Sequence, residues 1–237
     1  MIGFPCHPVN AFPNSGLISH TFRHSMSILS KQEIYKMEED DYKYIAHSAN
    51  RNGEEQSMRQ HSEGVAELMK SFALADDFAE LYSYCGLLHD LGKYSKGFQK
   101  YIRSNGNKEP HARWGAYMAR MNKLINIAFP VIGHHAGLPN RDAMFEDLEI
   151  CAKDGNRWNE IQRAMEEDKA IIPICDNSPF DKIGDVFQKE LFIRLLYSAL
   201  VDADSLDTER HFEKEQFDSR SSKTLEIDAL LTALNKR

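Results

Sequence analysis

No apolar run in the chain is long enough to span a bilayer. The longest, Leu195 to Val201, is interrupted by Ser198 and falls far short of the roughly 18 residues a crossing helix needs, so no membrane partner is expected. Cysteine is scarce: Cys6, Cys85, Cys151 and Cys175 lie far apart with no CxxC pair, which reads as reduced thiols in a cytoplasmic protein rather than a disulfide frame. The opening MIGFPCHPVNAFPNSG lacks both a basic head and a continuous apolar stretch, so a secretory leader is not expected either. Basic excess is also missing. Against 36 Asp and Glu stand 29 Lys and Arg, a formal charge of −7, which argues against coating nucleic acid through bulk charge, because such binding is driven by phosphate neutralisation. A local basic patch or bound metal ions would have to offset the repulsion from any polyanion. Alternating β-branched runs and Asn-Gly hairpin signals are nearly absent, and no internal repeat or low-complexity segment is found.

What remains is an ordinary globular composition over 237 residues, enough chain to close a core unaided. The first 40 or so residues, rich in Pro, Asn, Ser and His and ending in the acidic run Glu38 to Asp41, read as an N-terminal extension of unknown role over 1–43. From about residue 58, apolar residues recur at helical spacing: Val65, Leu68, Met69 and Phe72, then Leu81, Tyr84, Cys85, Leu88 and Leu91, with a break near Ala75-Asp76-Asp77. Gly92 should end or bend the second helix, and Lys96, Lys100 and Arg103 suggest that helix resumes to about Arg103. A loop follows at 104–107, then a helix over about His111 to Leu124. Another, starting after Asn126, carries His134-His135 and stops at Gly137-Leu138-Pro139. The polar stretch 141–170 reads as helical, 171–182 as a loop, and the last strong helix runs from about Gly184 to Thr208. The fold class is all-α, with one domain over 44–237.

The chemistry sits in a few short phrases. His89-Asp90 falls in GLLHDLGKY, His134-His135 in VIGHHAGLP, and the last apolar helix ends in LVDADSLDTE. An imidazole beside a carboxylate at the end of an apolar helix is costly to bury without a partner, and a divalent cation is the natural one. Nitrogen and oxygen donors together suit Mn, Fe, Ni, Co or Zn, and a carboxylate can bridge two ions. Taken singly these signals are weak, since a lone buried His is more often a hydrogen-bonded core residue than a ligand. The ordered series is more telling: His61, His89-Asp90 with Lys93, His111, His134-His135 and Asp204 each lie on their own expected helix or helix end, so a bundle could bring them together.

That order, with YIAHSANRNGEEQSMRQH, GLLHDLGKYSKGFQKYI, GHHAGLP and LVDADSLDTE around it, resembles the HD superfamily of metal-dependent phosphohydrolases. Within it, the text is most similar to the HD nuclease domain of the CRISPR type I nuclease-helicase, especially its I-C relatives, over about 44–210. The resemblance implies an HD-domain helical bundle and a metal-dependent deoxyribonuclease hydrolysing phosphodiester bonds of single-stranded DNA in CRISPR interference. It would act with a helicase domain or subunit and a guide-RNA surveillance complex. It implies two divalent ions (Mg, Mn, Ni, Co or Fe). One would be held by His61, His89, Asp90 and Asp204, the other by Asp90, bridging, with His111, His134 and His135; Lys93 would lie beside the scissile phosphate as a point charge. Asp202, about 200° from Asp204 around the helix, is the fallback for the terminal carboxylate. The family's third motif usually reads Asp-His-Ser, whereas here it is Pro110-His111-Ala112, which strips His111 of two polar neighbours. Because ligating His must be neutral, metal loading and activity should fall together below about pH 6.5.

Two features frame the substrate question. Lys96, Lys100, Arg103, Lys108 and Arg113 could form a basic track, with Tyr94, Phe98, Tyr101 or Trp114 as stacking surfaces and His47 orienting ligands or phosphate. No ATPase motor is legible: five residues separate Gly86 from Gly92, and Tyr94 stands where a phosphate-binding loop has Ser or Thr. The expectation is thus a stand-alone nuclease subunit or a piece whose helicase lies elsewhere. The alternatives are a phosphohydrolase acting on nucleotides or cyclic dinucleotides, and a non-catalytic recruitment module whose His/Asp cluster is structural.

Overall fold

The computed structural model describes residues 43–104 and 106–220. The N-terminal extension read from the sequence therefore lies, save for Lys43, outside the described residues, as does the chain beyond 220. Among the described residues the only sheet is a two-stranded antiparallel pair, β1 (Ile45–His47) with β2 (Gln56–Ser57), and everything else regular is helical, as expected for an all-α fold. The helices in chain order are α1 (Met58–Ser71), α2 (Ala79–Leu88), α3 (Lys96–Ser104), α4 (Ala112–Met121), α5 (Ile125–Gly133), α6 (Arg141–Lys153), α7 (Gly155–Glu167), α8 (Ser178–Asp181), α9 (Val186–Phe212) and α10 (Lys214–Ser219). Short 3-10 turns at Asp76–Phe78 and Leu91–Tyr94 connect the early ones. Among the described residues no helix is long and apolar enough to cross a membrane.

Helix α1 starts sharply because Ser57 and Gln60 form a capping box: the Ser57 hydroxyl accepts from the Gln60 amide, and the Gln60 side chain accepts from the Ser57 amide. Its buried stripe, Met58, His61, Val65 and Met69, is a helical period that places an imidazole among core side chains. Helix α2 packs on α1 and is buried nearly all round through Leu81, Tyr82, Tyr84, Cys85 and Leu88. Full burial of each such apolar side chain contributes about 1.5–3 kcal/mol. Helix α9 lies across α1, α2 and α5, and it opens with a second capping box, Asp185 with Gln188. Long and central, it carries its carboxylates from far along the chain into the bundle.

Three local readings differ from the sequence pattern. Helix α5 stops at Gly133, so His134 caps it and His135 follows in a turn; neither lies inside the helix. The stretch 141–170 breaks at Asp154, which ends α6 and accepts from the Arg157 amide to start α7; an Asp before a Gly is a helix-start signal that the polar composition masked. The loop at 171–182 contains the single turn α8. Gly92 is small for another reason than a helix end. A Cβ there would sit 2.2 Å from the His111 carbonyl oxygen, so glycine lets the Leu91–Tyr94 turn meet the start of α4. Gly115 does the same for α4 against α2, where a Cβ would lie 1.8 Å from the Leu88 carbonyl oxygen.

Candidate metal centre

Helix ends supply most of the cluster. The last carbonyls of a helix have no partner within it, and two of them hold imidazoles: His89 Nδ1 donates to the Gly86 carbonyl at 2.7 Å, and His134 Nδ1 to the Val131 carbonyl at 2.6 Å. Both are bonds from residue i to i−3, each just past a helix C-terminus. His111, the N-cap residue of α4, reaches the Glu109 carbonyl at 3.4 Å. His61 is held differently, its Nδ1 lying 2.8 Å from Asp207 Oδ2. In all four, an acceptor fixes the proton on Nδ1 and leaves the Nε2 lone pair aimed inward.

Those Nε2 atoms converge on Asp90. From its Oδ2, His61 Nε2 and His89 Nε2 each lie at 3.2 Å; from its Oδ1, His111 Nε2 lies at 3.2 Å and His134 Nε2 at 3.5 Å. Asp204 Oδ1 adds to the first set, 3.3 Å from His61 and 3.7 Å from His89, and His135 Nε2 to the second, 2.8 Å from His111. Two groups result, each with its ligand atoms within 4.8 Å of one another: His61, His89, Asp90 and Asp204, called the inner group here, and Asp90, His111, His134 and His135, the outer group. Asp202 is exposed and belongs to neither.

The donor set fits cations. Ligands about 2.1 Å from a common centre stand about 3.0 Å apart at right angles and about 3.4 Å apart in a tetrahedron, and the separations above scatter around those values. Asp90 is 1% exposed, and its oxygens meet Lys93 and the imidazoles as close ion-pair contacts in which no hydrogen bond of good geometry forms; the buried His134 Nε2 lies 3.5 Å from Oδ1 in the same way. His61 Nε2 and His89 Nε2 face each other at 3.1 Å. Two lone pairs, or two protons, at that distance repel, which a shared cation relieves.

In the metal-free chain protons do part of that work. Burial opposes charge on His61, but the carboxylates of Asp204, Asp207 and Asp90 beside it outweigh burial and raise the imidazole to about 9. Burial opposes charge on His89 too, and the Asp90 charge with an Asp204 hydrogen bond lifts it to about 10. The carboxyls respond in kind: despite burial, the charges of His89 and Lys93 and the close imidazoles of His111 and His134 hold Asp90 well below the carboxylate range, and hydrogen bonds with His61 and His89 do the same for Asp204. The outer group differs, because burial and the neighbouring His134 push His135 down to about 4. Proton competition in the inner group therefore begins well above the pH 6.5 that free imidazole suggested.

A cleft of about 770 Å³ opens beside this cluster, lined among others by His47, Lys93, Phe98, Tyr101, Lys108, His111, Arg113 and His135. It reaches the outer group and Lys93, but its lining includes neither His61, His89 nor Asp204. Lys93 Nζ lies 2.6 Å from Asp90 Oδ2 and donates to the Ala46 carbonyl at 3.2 Å. Gln99 stitches this corner together, donating to the carbonyls of Ile45 and Lys93. His47 packs edge-on to His61 with ring centres 4.6 Å apart, and burial with the nearby Lys93 charge pushes it down to about 2, so it is neutral. Of the expected basic track, Lys108 and Arg113 line the cleft, whereas Lys96, Lys100 and Arg103 do not. Tyr94 and Trp114 are not stacking surfaces. Tyr94 is buried and donates to Asp168, and buried Trp114 stacks on Trp158.

Asp207 and Gln56 escaped the sequence reading. Asp207 lies one turn beyond Asp204 on the same face of α9, and that spacing of three is the signal in the sequence that points to it.

The HD domain family model matches residues 58–177, half of the chain, and the chain belongs to that family, which makes it a metal-dependent hydrolase. The matched span covers His61, His89, Asp90, Lys93, His111, His134 and His135; Asp204 and Asp207 come from beyond it and are delivered by α9. No curated protein matches the chain.

Proposed function

We propose that this HD-family chain is a metal-dependent deoxyribonuclease that hydrolyses phosphodiester bonds of single-stranded DNA, and that it serves CRISPR interference alongside a helicase and a guide-RNA surveillance complex, as its resemblance to the type I nuclease domain implies. The observation that carries the hydrolytic part is Asp90, whose two oxygens face two separate groups of imidazole nitrogens. His61, His89, Asp90 and Asp204 would hold one cation, and Asp90, His111, His134 and His135 a second. Bound there, such ions supply Lewis-acid chemistry: they lower the pKa of water and neutralise charge gathering on phosphate oxygens.

The rest is done by the chain itself. Lys93, on the wall of the cleft and pinned between Asp90 and the Ala46 carbonyl, offers a fixed ammonium to a phosphate oxygen arriving beside Asp90. Neutral His47 leaves the approach free of a second buried cation. Lys108 flanks the cleft as a phosphate contact, Arg113 beside it is paired with Asp147 at 3.1 Å, and the part-exposed Tyr101 gives a base a ring to lie on. An open cleft with a ring and the ammonium groups of Lys93 and Lys108 on its wall suits a strand that continues past the cut better than a nucleotide enclosed on all sides. Incubating the protein with end-labelled single-stranded DNA and with a nucleotide panel, each with Mn²⁺, Mg²⁺, Ni²⁺ or chelator, tests this. Metal-dependent shortening of the DNA is expected; inorganic phosphate released from nucleotides while the DNA stays intact would overturn it in favour of a nucleotide phosphohydrolase.

A further inference from the structure

Four imidazoles present Nδ1–H to an acceptor, but only one acceptor is a carboxylate. His89, His111 and His134 use the carbonyls of Gly86, Glu109 and Val131, whereas His61 uses Asp207. Asp207 is 1% exposed and held in place on several sides. Gln56, at the start of β2, donates Nε2–H to its Oδ2 at 2.7 Å, beside the His61 contact at 2.8 Å, and Arg210 lies 3.5 Å from its Oδ1. Gly64, nearly one turn after His61, completes the seat: a Cβ at that position would stand 2.2 Å from Asp207 Oδ1. A buried carboxylate needs such partners, and a glycine facing it on α1 leaves room for the carboxylate alone.

We propose that Asp207 is a positioning residue for the inner metal group, holding His61 in its Nδ1–H tautomer, with Nε2 toward the cation, and adding a negative charge that the outer group lacks. It touches neither substrate nor reacting atoms and acts through His61. The inference rests on the reading that the inner group binds a cation and is independent of the substrate. An anionic acceptor makes the opposite nitrogen a stronger donor than a carbonyl does, and partners of this kind alter metal affinity about 10- to 100-fold. Gln56 and Gly64 belong to the same device, one fixing the orientation of the carboxylate and the other its distance.

The test is calorimetric titration of the full chain, after chelation and dialysis, with Mn²⁺. Asp207→Asn keeps the shape and removes the charge. It is expected to weaken the tighter of two binding events about 10- to 100-fold while the weaker event stays within about twofold. Gly64→Ala, which displaces Asp207 without changing its chemistry, should weaken the same event in the same direction. Equal tight-site affinity in wild type and Asp207→Asn would overturn the role of Asp207 alone, whereas a wild type that binds no Mn²⁺ would overturn the metal reading itself. Should either variant fail to fold, ¹⁵N-histidine spectra of the Zn²⁺-loaded wild type decide. The His61 Nδ1–H proton is expected downfield of those of His89 and His134; a His61 Nδ1 without a proton, or one no further downfield than the carbonyl-bonded pair, would overturn the proposal.

Discussion

The inner and outer halves of the cluster use the same kinds of side chain, share Asp90 and each hold one imidazole on a helix-end carbonyl, yet they differ in charge and burial. The inner half joins His89, at the end of α2, to two residues within helices, the buried His61 on α1 and the part-buried Asp204 on α9, and three carboxylates surround its two imidazoles once Asp207 is included. The outer half draws on helix ends, with His111 before α4 and His134-His135 after α5, and one shared carboxylate faces three imidazoles. His61 and His89 are 0% exposed, while His135 is exposed and lines the cleft. Charge and burial would favour firm retention of a cation in the inner half, whereas the outer half meets whatever enters the cleft and would exchange ligands more readily.

The sharpest break comes at the shared residue. Asp90→Asn should remove both binding events and lower hydrolysis by about a thousandfold or more, since the lost charge stabilisation amounts to several kcal/mol, while circular dichroism still reports a helical bundle. Collapse of the fold instead would favour a structural cluster. His135→Ala comes next. It should reduce bound metal from two to one per chain and cut activity about 100-fold or more, leaving the tighter affinity intact; loss of the tight event would mean that the halves are not separable. Lys93→Ala should leave metal stoichiometry at two and lower kcat by about 10- to 100-fold, as expected for one fixed charge aimed at the phosphate.

Protons offer a gentler probe. The His61 and His89 imidazoles are raised from 6.5 to about 9 and about 10 in the metal-free fold. A raised imidazole stabilises the fold fully below its unfolded value and loses that contribution as pH climbs through the folded one. The chelated protein should therefore lose several degrees of Tm between pH 7 and 10, a loss that His61→Ala would blunt. Binding at the inner half must displace these protons, so its apparent affinity should rise about tenfold or more per pH unit from pH 6 to 8. A flat profile for the inner event would remove the contrast with His135 of the outer half, whose imidazole is pushed down to about 4 and is therefore neutral across that range.

Much of this arrangement was legible in the chain. Helical spacing placed α1, α2 and the long α9, and the His and Asp phrases lie on separate elements because side chains distant in sequence must each ride on a rigid segment to meet. The misses have physical reasons. Strands β1 and β2 are three and two residues long, too short to show alternation, and they exist because Gln99 and the start of α1 tie the segment down. Tyr94 and Trp114 look like stacking rings by composition, but Asp168 and Trp158, far along the chain, bury them. Asp207 was hidden because its task is toward a histidine rather than toward the cation, a relation that sequence spacing does not reveal.

Anomalous scattering at the manganese edge from one crystal soaked in Mn²⁺ would show whether cations sit on both sides of Asp90. Two anomalous peaks are expected, one among His61, His89 and Asp204 and one among His111, His134 and His135, with a different Asp90 oxygen turned to each. A single peak away from Asp90, or none, would contradict that arrangement.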